Sequence, residues 1–172
     1  MSEKKPKIII FDLDYTLWPF WVDTHATPPF TKRKKDEIVD ADGQIIRYYK
    51  DVPGILEKLS KEGYELGIAS RTSEIKGAKQ LVELLDWEKY FKYKEIYPGS
   101  KVTHFSKIKK LSNTDYKDMI FFDDEQRNIS DLSKVGVLSV LVTNGITHEK
   151  QFIFYLYRSG TFVYNITFYF HE

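Results

Sequence analysis

The chain has 172 residues, with 26 Lys and Arg against 25 Asp and Glu, a formal net charge of +1 and no cysteine. That length fits one domain able to bury about 70% of its unfolded surface, and the missing cysteine excludes disulfides, thiolate catalysis and cysteine metal sites. The charge balance is neutral on nucleic acid. With no helix-long basic face and no zinc spacing in the sequence, no nucleic-acid partner is expected.

In chain order, Met1 to Lys7 is polar and has no apolar signal core, which favours the cytosol. Ile8-Ile9-Ile10-Phe11 follows, a continuous β-branched run that reads as a strand buried on both faces of a parallel sheet. Leu17 to Lys50 has no long helix; it holds Pro19, Pro28 and Pro29 and a hairpin turn at Asp42-Gly43 between Glu37–Val39 and Gln44–Tyr49. This insert is expected to fold over the strand end as a small flap. Asp51 is placed to cap a helix from about Pro53 that carries Ile55, Leu56 and Leu59 and stops at Gly63.

Leu66–Ala69 reads as the next strand, and Thr72 or Ser73 as the cap of a helix with Ile75, Ala78, Leu81, Val82 and Leu85 at helical spacing. Glu95-Ile96-Tyr97 is a weak strand before Pro98-Gly99. A third helix spans about Lys101 to Leu111 with Val102, Phe105, Ile108 and Leu111 inward, and a fourth spans Glu125 to Val135. Met119–Phe122 and Val137–Val142 are the remaining strands. Strands alternating with helices of this length imply right-handed βαβ crossovers, hence an α/β fold: a Rossmann-like parallel sheet with helices on both faces.

Every strand end carries a polar cluster. The first ends in Asp12-Leu13-Asp14-Tyr15-Thr16, the second in Ser70-Arg71-Thr72, the weak strand leads to Lys101, and Met119–Phe122 ends in Asp123-Asp124. In a parallel sheet these ends share one edge, where ligands bind. Two acids two residues apart are costly to hold together unless a cation or shared proton offsets their repulsion. Several carboxylates, a hydroxyl and a lysine suit phosphoryl transfer, with the acids holding a hard cation, preferably magnesium. Lys107 lies about 9 Å further along the helix axis than Lys101, so Lys101 is the candidate that reaches the site. Periodicity does not separate Asp123 from Asp124, because their strand is buried on both faces.

The ordered set Asp12-x-Asp14-x-Thr16, Ser70, Lys101 and Asp123-Asp124 resembles the four motifs of the haloacid dehalogenase superfamily of phosphohydrolases. The stretches FDLDYTLWPFWVDTH, ASRTSEI, EIYPGSKVTHF and FFDDEQRN are more closely similar to its small, nearly capless eukaryotic magnesium-dependent phosphatases. The resemblance covers about residues 7–145. It implies Asp12 as a nucleophile forming an aspartyl-phosphate and Asp14 as general acid and base. It implies Mg2+ held by Asp12, the Asp14 carbonyl and Asp124, with Asp123 behind. Leu13, Ser70, Arg71 and Lys101 fall among the implied substrate contacts.

Relatives of this kind act on phosphotyrosine or on phosphorylated sugars and sugar amines such as fructosamine phosphates. A small phosphorylated metabolite or phosphotyrosine is therefore the expected partner of a cytoplasmic monomer, with no membrane involved. The rival readings are a serine/threonine-directed protein phosphatase of the same superfamily and a non-catalytic phosphate-binding scaffold. His25 and His104 read as structural or solvated, since the acids already supply a hard-metal site. Ser70 and Thr72 read equally as helix caps or phosphate donors.

Residues 148–172 stand apart. Nine of the last 22 residues are aromatic, against 27 in the whole chain, a density foreign to a solvated tail. A membrane anchor is discounted because Arg158 near the centre of the stretch costs about 2.5–3.5 kcal/mol. A helix packing on the sheet and a stretch foreign to the native coding sequence are the other readings. With every catalytic candidate before residue 125, the chemistry is expected to stand without the tail.

Overall fold

The run Ile8–Phe11 forms β1, the central strand of a five-stranded, wholly parallel sheet in a computed structural model that describes residues 6–34 and 37–148. The other strands are β4 (Glu65–Ser70), β5 (Phe91–Ile96), β6 (Met119–Asp123) and β7 (Leu138–Leu141), in the order β5-β4-β1-β6-β7. Phe11 is in register with Ile68 on one side and Phe122 on the other. The residues just beyond β1 therefore sit between the ends of β4 and β6.

Alternation along β1 sorts the two faces of the sheet. Ile9 and Phe11 join a core with Leu66, Ile68, Ile120 and Phe122, covered by α2 (Val52–Lys61), α3 (Ile75–Leu84) and the flap. Ile8 and Ile10 join a second core with Met119 and Phe121, covered by α4 (Lys101–Ser112) and α5 (Gln126–Lys134). The Rossmann-like α/β architecture with helices on both faces is thus the one that the alternating pattern implies.

Several local expectations are corrected. The weak strand is a full six residues from Phe91, an edge strand whose Lys92 and Lys94 side chains pair with Glu65 and Glu88. Lysines on a sheet edge blunt strand addition and also hide the strand from a hydrophobicity reading. Leu111 is 62% exposed rather than inward. Steps of three residues at about 100° each drift, so nine residues carry Leu111 to the side opposite Val102. The α3 cap is Glu74, whose carboxylate accepts the Gly77 N–H at 2.9 Å, rather than Thr72 or Ser73. Asp51 occupies the N-cap of α2 but makes no side-chain cap bond; it accepts the His148 N–H at 3.4 Å.

In the flap, α1 (Val22–His25) precedes a two-stranded antiparallel pair, β2 (Thr31–Lys32) with β3 (Ile38–Val39). The reversal at Asp42-Gly43 is present, but its pairing stops at the Val39–Ile45 bridge. Asp40 shapes the reversal itself: its carboxylate accepts the N–H groups of Thr27, Asp42 and Gln44. Near the end of the described chain Ile146 is buried in the core and donates its N–H to Thr16 O at 3.0 Å. The aromatic tail from Gln151 lies outside the described residues.

Candidate active site

Beyond the carboxyl ends of β1, β4 and β6 lies an open cavity of about 260 Å³ whose lining includes Asp12, Asp14, Ser70, Arg71, Lys101 and Asp124. The backbone puts them there. Asp12 continues β1 and donates its N–H to Phe122 O at 2.9 Å, Ser70 ends β4, and Asp123 ends β6. Ser100 caps α4 by accepting the Thr103 N–H at 3.2 Å, which sets Lys101 in the first turn.

Lys101 is the electrostatic centre. Its ammonium, 1% exposed, lies 2.5 Å from Asp12 Oδ1 and 3.1 Å from Asp123 Oδ2 and also donates to Ala69 O. Burial works to lower its pKa, yet Asp12 and Asp123 carry it above the ordinary lysine value, so it stays charged. Burial raises the Asp12 carboxyl well above the usual carboxylate range, and Lys101 pulls it back. Lys107, passed over from its helical position, pairs with Glu95 at 3.2 Å outside this group.

Asp123 and Asp124, inseparable by periodicity, occupy different settings. Both Asp123 oxygens are taken by protein donors, Oδ1 by Glu125 N–H at 2.7 Å and Oδ2 by Asn128 Nδ2 at 3.0 Å as well as Lys101. Asp123 is fully buried and does not line the cavity; Asp124 does. Burial and then the neighbouring Asp123 push the Asp124 carboxyl from 3.8 to about 6. Burial likewise lifts Asp14 to about 6, opposed by hydrogen bonds from Trp18 and Val22.

Ligand oxygens from Asp12, Asp123 and Asp124 all lie within 4.8 Å of one another. Three carboxylates around one ammonium leave an excess of two negative charges if all are ionised, with no sulfur or imidazole donor among them. Hard oxygen donors with that charge fit a small divalent cation, and magnesium is the cofactor this set suits.

The remaining candidates fall as follows. Arg71 Nη1 reaches Asn128 Oδ1 at 3.3 Å and Glu125 Oε2 at 3.6 Å, while its buried Nε has no hydrogen-bond partner among the described residues. Ser70 Oγ accepts the Thr72 N–H at 3.4 Å at the cavity wall. Leu13 is fully buried in the core, and its side chain is not among those that line the cavity. His104 is structural, its ring nitrogens 2.7 Å from Ser100 O and 2.8 Å from Tyr97 O. His25 lies on the flap, stacked on Trp21 at 5.3 Å.

The flap adds residues outside the candidate set drawn from the sequence. Trp21, 47% exposed, and Asp23 line the cavity, and Asp23 Oδ2 holds the flap to the β4–α3 loop by accepting Ser73 Oγ–H at 3.0 Å and Ser73 N–H at 3.2 Å. Glu125, Arg127 and Asn128 complete the rim. Trp18, which bonds Asp14, carries only a spacing of four residues as its sequence signal.

The fold and this constellation define a phosphohydrolase of the haloacid dehalogenase type, and comparison with known proteins agrees. The family model described as Acid Phosphatase matches residues 4–152, and the chain belongs to that family, within the haloacid dehalogenase superfamily of phosphatases. It is 52% identical to human Magnesium-dependent phosphatase 1 over 141 residues, which is 82% of this chain and 80% of that protein. It is 43% identical to a HAD-like hydrolase superfamily protein of Schizosaccharomyces pombe over 143 residues, 77% of this chain and 83% of that one. Among solved structures it resembles the N-terminal part of a Bacteroides fragilis protein containing a phosphatase domain complexed with Mg. That match has a TM-score of 0.63 at 18% identity and covers 93% of this chain and 41% of the other. Among the described residues no helix is long and apolar enough to cross a membrane.

Proposed function

We propose that the chain is a magnesium-dependent phosphomonoesterase that works through an aspartyl-phosphate on Asp12, with phosphotyrosine or phosphorylated sugars and sugar amines as its substrate class. The observation that carries this reading is the Asp12 carboxylate, held by Lys101 at 2.5 Å on the floor of an open, polar cavity. A carboxylate so placed is fixed in direction yet open to an incoming phosphate.

In the first half-reaction an Asp12 oxygen attacks phosphorus and the bond from phosphorus to the leaving oxygen breaks. Asp14 gives its proton to that oxygen, so the alcohol or phenol departs neutral. In the second half-reaction the Asp14 carboxylate takes a proton from water, whose oxygen attacks phosphorus. The phosphorus–Asp12 bond breaks, and inorganic phosphate and the free carboxylate result. Lys101 offsets charge on the phosphate oxygens throughout, and Ser70 and Arg71 donate to them. The ion would be held by Asp12, the Asp14 carbonyl and Asp124; when bound, it supplies Lewis-acid neutralisation of the phosphate charge. Asp124 is favoured over Asp123 because protein donors already engage both Asp123 oxygens.

The open mouth, with Trp21 at its rim and no large cap, suits both an aryl phosphate and a phosphorylated sugar. A panel of sugar phosphates, phosphopeptides bearing tyrosine, serine or threonine phosphate, and an aryl phosphate, each with and without magnesium, tests it. Turnover of a phosphotyrosine peptide or a sugar phosphate only with magnesium is expected. Preference for phosphoserine or phosphothreonine peptides would favour the protein-phosphatase rival, and no turnover of any ester would reject the enzyme reading.

A further inference from the structure

Both hydrogen bonds that Asp14 accepts fall on one of its oxygens. The Trp18 indole N–H donates to Oδ1 at 2.7 Å, and the Val22 backbone N–H donates to the same atom at 3.3 Å. The geometry arises from the turn after β1. Tyr15 adopts a left-handed φ of 54°, and the Leu17 N–H returns to Leu13 O at 2.8 Å, which folds residue 18 back over residue 14. The Trp18 ring is itself immobilised: it is fully buried and stacked on Phe20 at 5.7 Å and on Trp87 at 6.4 Å. Its N–H has no room to turn elsewhere.

An oxygen that accepts two N–H bonds has its lone pairs engaged and is a poor seat for a carboxyl proton. Among the described residues no hydrogen bond reaches Asp14 Oδ2, and Asp14 lines the cavity. We propose that Trp18 is a positioning residue for the reaction: it fixes the Asp14 rotamer and confines the acidic proton to Oδ2, the oxygen left for the departing group. This rests on the reading of Asp14 as the general acid. Trp18 is fully buried and is not among the residues that line the cavity, so its role runs through Asp14.

The consequence is a dependence on the leaving group. The ratio kcat/KM covers only the steps through cleavage of the leaving-group bond, so the later water step does not enter it. A nitrophenolate departs with little help from an acid, whereas phenolate, far more basic, needs the proton. A pair of aryl phosphates keeps ligand shape nearly constant while changing this demand.

The test measures kcat/KM for 4-nitrophenyl phosphate and phenyl phosphate at saturating magnesium. It uses the wild-type chain, Trp18→Phe, Asp14→Asn, and a chain in which Trp18 is replaced by benzothienylalanine, which keeps the fused ring and lacks the N–H. For the two Trp18 variants the phenyl phosphate value is expected to fall by roughly 10–100-fold while the nitrophenyl value stays within about threefold. Asp14→Asn is expected to show the same selectivity more strongly. Equal losses on both substrates in the benzothienylalanine chain would overturn the positioning role, as would selectivity in Asp14→Asn that the Trp18 variants lack. If Asp14→Asn itself shows no selectivity, the general-acid reading fails first. Should Trp18→Phe misfold, the benzothienylalanine chain, which preserves the stacking, decides the matter alone.

Discussion

The Lys101 ammonium sits 2.5 Å from the Asp12 carboxylate although 89 positions separate them in the chain, and the same ammonium reaches Asp123 at 3.1 Å. One buried cation thus ties the end of β1 to the end of β6, and in the proposed mechanism the same ammonium meets the phosphate.

Lys101→Met should therefore show two separable effects. Removing one partner of a buried charge cluster costs about 3–5 kcal/mol, because the carboxylates are left uncompensated. Turnover should fall by roughly 10²–10³-fold, the range for loss of one group that stabilises developing charge. Thermal melts with and without magnesium, beside steady-state kinetics, check both. Magnesium is expected to recover part of the stability and little of the rate.

Metal removal should abolish activity. Excess chelator is expected to bring turnover to background, magnesium to restore it, and calcium to restore it poorly, since calcium takes more ligands at longer distances. Asp124→Ala should weaken magnesium binding in a titration calorimeter; unchanged affinity would transfer the ligand role to another carboxylate.

The raised carboxyls make the metal-free protein sensitive to pH. Asp14 and Asp124 go from 3.8 to about 6 on folding. A pKa that is higher in the folded state gives stability that is present below the unfolded value and lost as pH rises through the folded one, here between about 4 and 6. For the largely buried Asp14 the penalty above that window is on the order of 3 kcal/mol. Asp14→Asn should accordingly raise the melting temperature in chelator at about pH 7.5 and much less at about pH 4.5. An equal gain at both values would mean that the carboxyl is not strained by its surroundings.

Truncation after Thr147 is expected to leave aryl phosphatase turnover intact. The residues that line the site all precede residue 129, and the Ile146 N–H bond to Thr16 O, near the end of the described residues, is retained. Purifying the shortened chain and measuring its rate checks this. A folded but inactive product would show that the tail helps to build the site.

How far the sequence carries can be read from particular elements. β1, β4, β6 and β7 are legible because sheet burial demands continuous apolar runs, and the site residues follow directly from the strand ends. The start of β5 is not legible, since an edge strand needs no second apolar face and its lysines pass for solvent. Leu111 fails because spacing by three only approximates a helix face. The choice between Asp123 and Asp124 needs the donors from Glu125, Asn128 and Lys101, which come from two separate elements. The Trp18–Asp14 bond depends on a left-handed residue at Tyr15, and no pattern of hydrophobicity encodes that turn.

The most direct measurement is to quench the enzyme in acid during turnover and look for the phosphorylated residue by peptide mass spectrometry. Reduction of the quenched protein with borohydride converts an aspartyl-phosphate to homoserine and marks its position. One phosphoryl group on the peptide containing Asp12, homoserine at residue 12 after reduction, and loss of both label and turnover in Asp12→Asn are expected. Phosphate found on another residue, or Asp12→Asn that turns over at the wild-type rate, would show that Asp12 is not the nucleophile.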